Sequence, residues 1–429
     1  MSYPIRLSVC LAICLGVFSA CEKEPVVKPI PTDAPFAVNI SNEFNELQAL
    51  YAVFLSDSEG KVLAFRWLPG SDTAQVQVPG AAATDRLDCT VVKLTTHEAA
   101  GSGVTDTSLT IRTYTRLASG QNIHLRTPTY LQLTNLSIEF THLTSLDTII
   151  VPDGFTFVRP QPSNNFNGFY RVLHTGKMWL RLKVNGESNW RSMFFGNISG
   201  EALAASVDVT LLPAMLATPK NITLPFAAPW QYQIAGVVDT ATRRLLALGD
   251  LSRTPGGAIP VFSDINVYEP QAQAFQGYRV AVTGSSNTPG GYTYSSDAFY
   301  PAVPGSLPLP SFDLEPTTAA SQRFIAVKCV GAFDLLALAR SRTGNPNINW
   351  EVLTQPTTNG IVTYRLPDVP AELGNRFSAL KRYDFSPGTR VRAEQYERLD
   401  YEGIINKMLR NDDPFWPAKA GYLSREEVQ

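Results

Sequence analysis

Short runs of β-branched and aromatic residues, cut at nearly regular intervals by turn residues, are the feature that most constrains the fold of this chain. In the first part of the chain these runs are 50–55, 62–67, 74–78, 87–94 and 109–115. Turn chemistry separates them at Ser56–Gly60, Pro69–Gly70 and Pro79–Gly80. Strands of this length and spacing are typical of β-sandwiches. The sequence therefore predicts an all-β chain of tandem β-sandwich domains.

The chain is too long for a single hydrophobic core. It has 429 residues, and cores stop growing well below that size. Similar strand runs continue to about residue 395, so we expect sandwich blocks at 36–127, 128–225 and 226–395. The third block is one larger sandwich or two sub-domains.

One short helix is predicted near the C-terminus, within a last segment 396–429. Its apolar residues fall at helical spacing, at Tyr401, Ile404, Ile405, Met408 and Leu409. Asn411–Pro414 then ends it. We expect this helix to pack on the last sandwich, and the tail from Phe415 to be partly disordered.

The N-terminus has the order of a secretory signal. Arg6 is followed by an apolar run from Leu7 to Phe18 and then by Ser19, Ala20 and Cys21. A cysteine directly after small residues resembles the lipobox of bacterial lipoproteins. The resemblance implies that residues 1–20 are a signal peptide and that Cys21 carries a lipid. The alternative is an ordinary secretory signal with an incidental cysteine.

A proline-rich segment follows the cysteine. Residues 21–35 carry four prolines together with charged residues, a composition that stays extended and acts as a tether. No later apolar run is long enough for a membrane helix. The lipoprotein resemblance thus implies a cell-envelope protein held to a membrane, the outer membrane of a gram-negative bacterium, through the lipid on Cys21.

A short stretch of the first block also resembles a known module. Ala52–Leu55, Asp57, Gly60 and Lys61–Leu63 are similar to the transthyretin-like or carboxypeptidase-regulatory-like sandwich. This resemblance implies a small β-sandwich and no particular activity.

The charge of the chain bears on its partners, and its cysteines bear on disulfide bonding. The formal net charge is −2, and no basic run stands out, so a nucleic-acid partner is not expected. Cys89 and Cys329 lie in strand-like runs. We expect two buried thiols that act as small hydrophobic residues, while an inter-domain disulfide stays an alternative.

No motif points to catalysis. The four histidines, His97, His124, His142 and His174, are isolated, and no G-x-S-x-G, H-E-x-x-H, C-x-x-C, calcium-loop or phosphate-loop pattern occurs. We therefore predict no catalytic residues, no metal and no cofactor.

One hairpin suggests a ligand patch. Met178–Val184 alternates apolar with polar or aromatic residues, and Asn185–Gly186 is the preferred pair for a two-residue turn. Such a turn places Arg181 opposite Trp190. Alternation then puts a patch of Trp179, Arg181, Lys183 and Trp190 on one polar face, where it could hold a sugar or a peptide. The alternative is that a neighbouring domain covers them.

Three segments resemble an O-glycosylation motif, an aspartate followed by a hydroxyl residue and an aliphatic one. They place candidate sites at Thr73, Thr148 and Thr240. The resemblance implies that these threonines are exposed.

Three functions fit the sequence. The favoured hypothesis is a non-catalytic adhesion, glycan-binding or scaffold lipoprotein, with a fimbrial-type subunit as one version of it. The alternatives are a surface hydrolase of glycan or peptide, which needs converging carboxylates or a histidine contact, and an envelope assembly factor with protein partners.

Overall fold

The computed structural model describes residues 34–41, 49–68, 73–98, 105–125, 133–142, 148–151, 156–158, 165–173, 176–184, 186–198, 202–239, 244–250, 261–286, 292–317, 321–356, 359–386, 389–409 and 422–428. Cys21, the predicted signal peptide and the tether up to residue 33 lie outside these residues.

Strands dominate the described residues, so the all-β prediction is confirmed. The first seven strands are β1 (Pro35–Ser41), β2 (Ala49–Ser56), β3 (Val62–Leu68), β4 (Thr73–Ala82), β5 (Arg86–Glu98), β6 (Thr105–Ala118) and β7 (Asn122–His124). The next seven are β8 (Leu133–Thr141), β9 (Thr148–Val151), β10 (Thr156–Val158), β11 (Asn165–Leu173), β12 (Gly176–Lys183), β13 (Arg191–Ile198) and β14 (Ala202–Asp208).

The remaining strands follow a 3-10 turn at Val209–Leu211. They are β15 (Ala217–Asp239), β16 (Arg244–Asp250), β17 (Val261–Pro270), β18 (Gly277–Ser285), β19 (Thr293–Tyr300), β20 (Asp313–Thr317), β21 (Phe324–Val330), β22 (Leu335–Arg342), β23 (Asn347–Thr354), β24 (Asn359–Arg365), β25 (Arg390–Tyr396) and β26 (Tyr422–Val428). The helices are α1 (Ala371–Arg376), α2 (Ser378–Lys381) and α3 (Tyr401–Leu409).

A long sheet connects distant parts of the chain. Its strand order is β16-β15-β18-β19-β26-β25-β22-β23-β6-β5-β2-β3, and β17 pairs with the first part of β15. The contact between β6 and β23 is parallel, with Ile111 opposite Trp350. The strands of the first predicted block therefore share a sheet with strands of the third.

The half of this sheet that contains β2, β5 and β6 is buried on both faces. One face packs on the small sheet β4-β1-β7 and on α3, in a core that includes Val38, Val53 and Ile404. The other face packs on the sheet β20-β21-β24 and on α1 and α2, in a core that includes Phe54, Val327 and Leu380. The result is a three-layer arrangement.

A second body of β-structure forms around β15. This strand pairs first with β17 and then with β16 and β18, and its inner residues surround Trp230, which is fully buried. Gly284 provides the space for that ring, because a Cβ there would lie 2.4 Å from it. This core, which includes Ile222, Trp230 and Val280, also contains Trp179 of β12.

The second predicted block forms two sheets, β10-β9-β12-β13 and β11-β8-β14. β14 joins β8 in parallel and β11 joins it antiparallel. The predicted boundaries at 36–127, 128–225 and 226–395 stay a prediction, although strand pairing ties the first block to the third.

The two cysteines are buried free thiols, as predicted. They belong to cores on opposite faces of the long sheet. Burial raises the pKa of both thiols, that of Cys329 to about 11. Desolvation of this kind makes them unreactive small hydrophobic residues.

The predicted C-terminal helix is α3, and four of its apolar residues are buried, Tyr401, Ile404, Ile405 and Leu409. Two short helices, α1 and α2, were not predicted. Within the tail that was expected to be partly disordered, residues 422–428 form β26 between β19 and β25, and residues 410–421 lie outside the described residues. None of the described helices is long and apolar enough to cross a membrane.

Candidate functional site

The exposed ligand patch predicted at the β12 hairpin is wrong. Trp179 is 1% exposed and Arg181 is 5% exposed. The reason is the alternative given above, since the core around β15 covers this face of β12 and takes in the Trp179 ring. An aromatic platform for a free ligand therefore does not exist at these two residues.

The register of the hairpin also differs from the prediction. Val184 still accepts a hydrogen bond from the Glu187 amide at 3.2 Å, but strand pairing resumes only at Leu182 opposite Arg191. Arg181 thus faces Ser192 instead of Trp190. The loop is held open because Arg191 binds the Glu187 carboxylate and the Thr210 carbonyl, the latter at 2.7 Å. The shift is two residues, so the faces of β12 are unchanged.

Arg181 is a buried cation. Its guanidinium lies 5.0 Å from the centre of the Trp179 ring, and its Nε has no hydrogen-bond partner. Burial lowers the pKa of Arg181 to about 10, and the hydroxyls of Tyr232 and Tyr268 oppose that change only in part. The geometry is that of an internal contact between β12 and the β15 body.

The other two residues of the predicted patch lie apart from this pair. Lys183 is partly buried and donates from Nζ to the Ser188 carbonyl. Trp190 is partly buried and tilts against Tyr268, with 6.3 Å between ring centres. The structure therefore brings Trp179 and Arg181 together and leaves Lys183 and Trp190 at the margin.

Of the candidate O-glycosylation sites, the structure describes the side chain of one. Thr73 is exposed at the start of β4. Thr148 begins β9, but its side chain lies outside the described residues, as does the whole of Thr240. Cys21 is likewise outside them.

An open polar face occurs instead on β15, β18 and β19. Along β18, from Tyr278 to Ser285, buried and more exposed residues alternate. Tyr278, Val280 and Val282 are buried, whereas Arg279, Ala281 and Thr283 point to the other side and are at least partly exposed. The register places Gln231 opposite Thr283 and Thr283 opposite Ser295. We call this surface, with Gln233, Ala281, Ser285, Thr293 and Asp297, the open face.

Hydroxyl groups form cross-strand pairs on the open face. Thr283 and Ser295 are joined by a hydrogen bond of 3.1 Å, and Ser285 and Thr293 by one of 3.0 Å. Both pairs are exposed to solvent, and either oxygen of each pair can be the donor. Each hydroxyl therefore keeps lone pairs that a ligand in the same plane can use.

A single ion pair interrupts these neutral groups. The Arg279 guanidinium contacts both carboxylate oxygens of Asp297, with Nε to Oδ1 at 2.8 Å. The fork geometry satisfies both partners, so the pair adds little net charge to the face.

A polar hollow lies on this face beside the ion pair, and an aromatic hollow lies where the strands end, with Phe299 on the open face and Tyr300 on the opposite one. The polar hollow has a volume of about 180 Å³ and is lined by Gln231, Tyr232, Gln233, Ala281, Val282, Thr283, Ser296 and Asp297. Its lining carries amide and hydroxyl groups and the Asp297 carboxylate.

The aromatic hollow lies where β18 begins and β19 ends. It has a volume of about 200 Å³ and is lined by Val237, Gln276, Gly277, Phe299, Tyr300, Pro301, Glu397 and Arg398. Burial, and then the nearby Glu397 carboxylate, raise the pKa of Tyr300. Gly277 permits a close approach of β18 and β19, since a Cβ there would lie 2.9 Å from the Tyr300 carbonyl oxygen.

Aromatic rings and neutral hydrogen-bonding groups suit a flat, hydroxyl-rich ligand. The rings contact apolar faces, and the amides and hydroxyls pair with the ligand's edges. The sequence pattern that could have revealed this site is the period-two alternation of 277–285, with polar residues on one face. Among the described residues, no group of three or more metal-ligating side chains could hold an ion.

Comparisons with known proteins do not assign the chain to a family. No family model matches the chain, and no curated protein matches it. A mutant alpha-2-macroglobulin from Salmonella is 11% identical with a TM-score of 0.12, over 88% of this chain and 27% of that one. A trypsin-activated alpha-2-macroglobulin from Escherichia coli is 11% identical with a TM-score of 0.13, over 88% of this chain and 30% of that one. This chain spans less than a third of either protein, and the likeness is too weak to carry an argument.

Proposed function

We propose that this protein is a membrane-anchored cell-envelope lipoprotein that binds glycans without catalysis, and that the open face is its ligand site. The observation that carries the proposal is the aromatic hollow placed at the end of a solvent-exposed hydroxyl and amide surface. The anchor is proposed on the lipobox-like order of Ser19, Ala20 and Cys21.

The chemistry of the open face supports a glycan over a charged polymer. Its ion pair is internally compensated, and the rim of the aromatic hollow carries one acidic and one basic residue, Glu397 and Arg398. A neutral ligand loses little by being placed there, whereas a strongly charged one gains little. Sugar hydroxyls can donate to and accept from the Thr283 and Ser295 pair.

A glycan array tests the binding proposal. The chain with Cys21→Ser, labelled and applied to printed glycans, should give signal on a defined class. Phe299→Ala removes one ring from the aromatic hollow and should reduce that signal. Thr363→Ala alters an exposed polar residue on β24, away from the open face, and should leave it unchanged. If the Cys21→Ser chain, in which the open face is unchanged, binds no printed glycan, the proposal is overturned.

Fractionation tests the anchor separately. Wild-type protein expressed in a gram-negative host should sediment with the membranes and take up labelled palmitate. The Cys21→Ser variant should lose the label and move to the soluble fraction, because the lipid on Cys21 is the proposed anchor and the variant cannot carry it. A variant that stays with the membranes would contradict the lipoprotein assignment.

A further inference from the structure

The terminal strand β3 leaves one edge of the long sheet without a partner strand. Among the described strands, β3 pairs with β2 alone and ends the strand order of this sheet. Such an edge presents a row of backbone N–H and C=O groups with which a further strand can pair. Proteins often protect their edges with lysine or proline, but residues 62–68 contain neither. The backbone of β3 is therefore suited to pairing with another chain.

Two aromatic rings lie beside this edge and are only partly covered. Phe65 lies opposite Phe54 of β2, and Trp67 follows it on the same face of β3. The two rings meet edge to face, with 5.5 Å between their centres. Both remain partly exposed, although they pack on the core that includes Phe54 and Leu380. Partly exposed aromatic rings of this kind are enriched where proteins bind each other.

Two arginines flank the rings, one toward each face of β3. Arg376, at the end of α1, is exposed, and its guanidinium lies 5.7 Å from the centre of the Trp67 ring and 5.6 Å from that of Phe377. Arg66 is exposed on the other face and donates to the Gln75 carbonyl of β4 at 3.3 Å. Within the described part of the chain, neither arginine pairs with a carboxylate. The edge is therefore both apolar and positively charged.

We propose that β3 binds an extended, acidic segment of a partner protein, which adds a strand to the long sheet. The backbone of that segment pairs with β3, its apolar side chains contact Phe65 and Trp67, and its carboxylates lie near Arg66 and Arg376. A second copy of this chain fits less well, because pairing β3 with itself brings the arginines of both copies together. The docking edge is separate from the open face, which lies on β15, β18 and β19.

Peptide binding tests the proposal on the full chain carrying Cys21→Ser. The probes are two ten-residue peptides, one of alternating valine and glutamate and one of alternating valine and lysine. The acidic peptide should bind, and the basic one should not. Bound acidic peptide should also slow amide hydrogen exchange in residues 62–68, because a new strand protects the edge amides. The strand at the other end of the long sheet, β16, is the control and should exchange at an unchanged rate.

Three variants test the side chains beside the edge. Trp67→Ala and Arg376→Glu should each lower affinity for the acidic peptide roughly tenfold. Arg376 is exposed, so its variant tests the charge without disturbing the core. Arg398→Glu reverses another exposed arginine, at the aromatic hollow, and should leave the affinity unchanged. Circular dichroism verifies the folding of each variant.

The proposal is overturned if the acidic peptide does not bind, if both peptides bind equally, or if bound peptide leaves exchange in residues 62–68 unchanged. Self-association without peptide, with protection of residues 62–68 that grows with protein concentration, would also overturn it. A second copy of the chain would then be the occupant of the edge.

Discussion

Replacing Trp179 by alanine should destabilise the protein and leave ligand binding intact. Trp179 is 1% exposed, stacks on Phe194 with 6.0 Å between ring centres, and lies 5.0 Å from the Arg181 guanidinium. Truncating a buried tryptophan costs about 3–5 kcal/mol. Loss of the stacked pair belongs within that figure, because aromatic pairs contribute about 0.5–1.5 kcal/mol.

Removal of the ring also leaves Arg181 less well compensated. Its Nε already lacks a partner, so the loss should lie toward the upper end of that range. Trp190→Ala is the matched control. That ring is partly exposed and makes one tilted aromatic contact, so the expected loss is below about 2 kcal/mol.

Urea unfolding followed by far-ultraviolet circular dichroism measures both variants. The transition that includes the β15 core should move to lower urea for Trp179→Ala, by more than for Trp190→Ala. A Trp179→Ala protein with unchanged unfolding and lost glycan binding would show that the ring is a ligand platform, and the burial argument would be wrong.

Three further predictions test packing and charge. Gly284→Ala puts a Cβ 2.4 Å from the Trp230 ring and should cost about 1–3 kcal/mol in thermal unfolding, whereas Gly305→Ala, with open space around it, should cost nothing measurable. Burial raises the pKa of Asp88 in the folded protein above its ordinary value of 3.8. The folded state therefore loses stability as the pH rises from that ordinary pKa through the raised pKa. Asp88→Asn should therefore gain stability over wild type at pH 7 and match it at pH 3 in urea titrations, and a loss at pH 7 would refute this. Glu351→Gln breaks contacts of 2.9 Å to Arg112 and 3.2 Å to Arg392. Because the Arg112 side chain is 47% exposed, we expect a loss of about 1–2 kcal/mol in urea, less than for a fully buried pair.

Local pattern predicted most of the strands and failed on their partners. The run 62–67 is β3, and the helical stripe at 401–409 is α3. The parallel pairing of β6 with β23 joins residues far apart in sequence, such as Ile111 and Trp350. No periodicity encodes such a choice, because strand partners are selected by tertiary packing.

The candidate site shows the same division. Alternation correctly placed Trp179 and Arg181 on one face of β12, since the period of a strand is two. It could not show that the β15 core covers that face. The real open face uses ordinary residues such as Thr283 and Ser295, which no motif singles out.

One ion pair of the long sheet crosses a strand because small residues lie between its partners. Arg392 on β25 reaches Glu351 on β23, although β22 lies between them. The guanidinium can cross because β22 carries Ala337 and Ala339 on that face, opposite Arg392 and Arg390. A leucine at either alanine would fill the path and leave the buried Glu351 carboxylate with one partner fewer, at a cost in stability. The contact of Arg392 with Glu351 therefore depends on the small side chains at these two positions of β22.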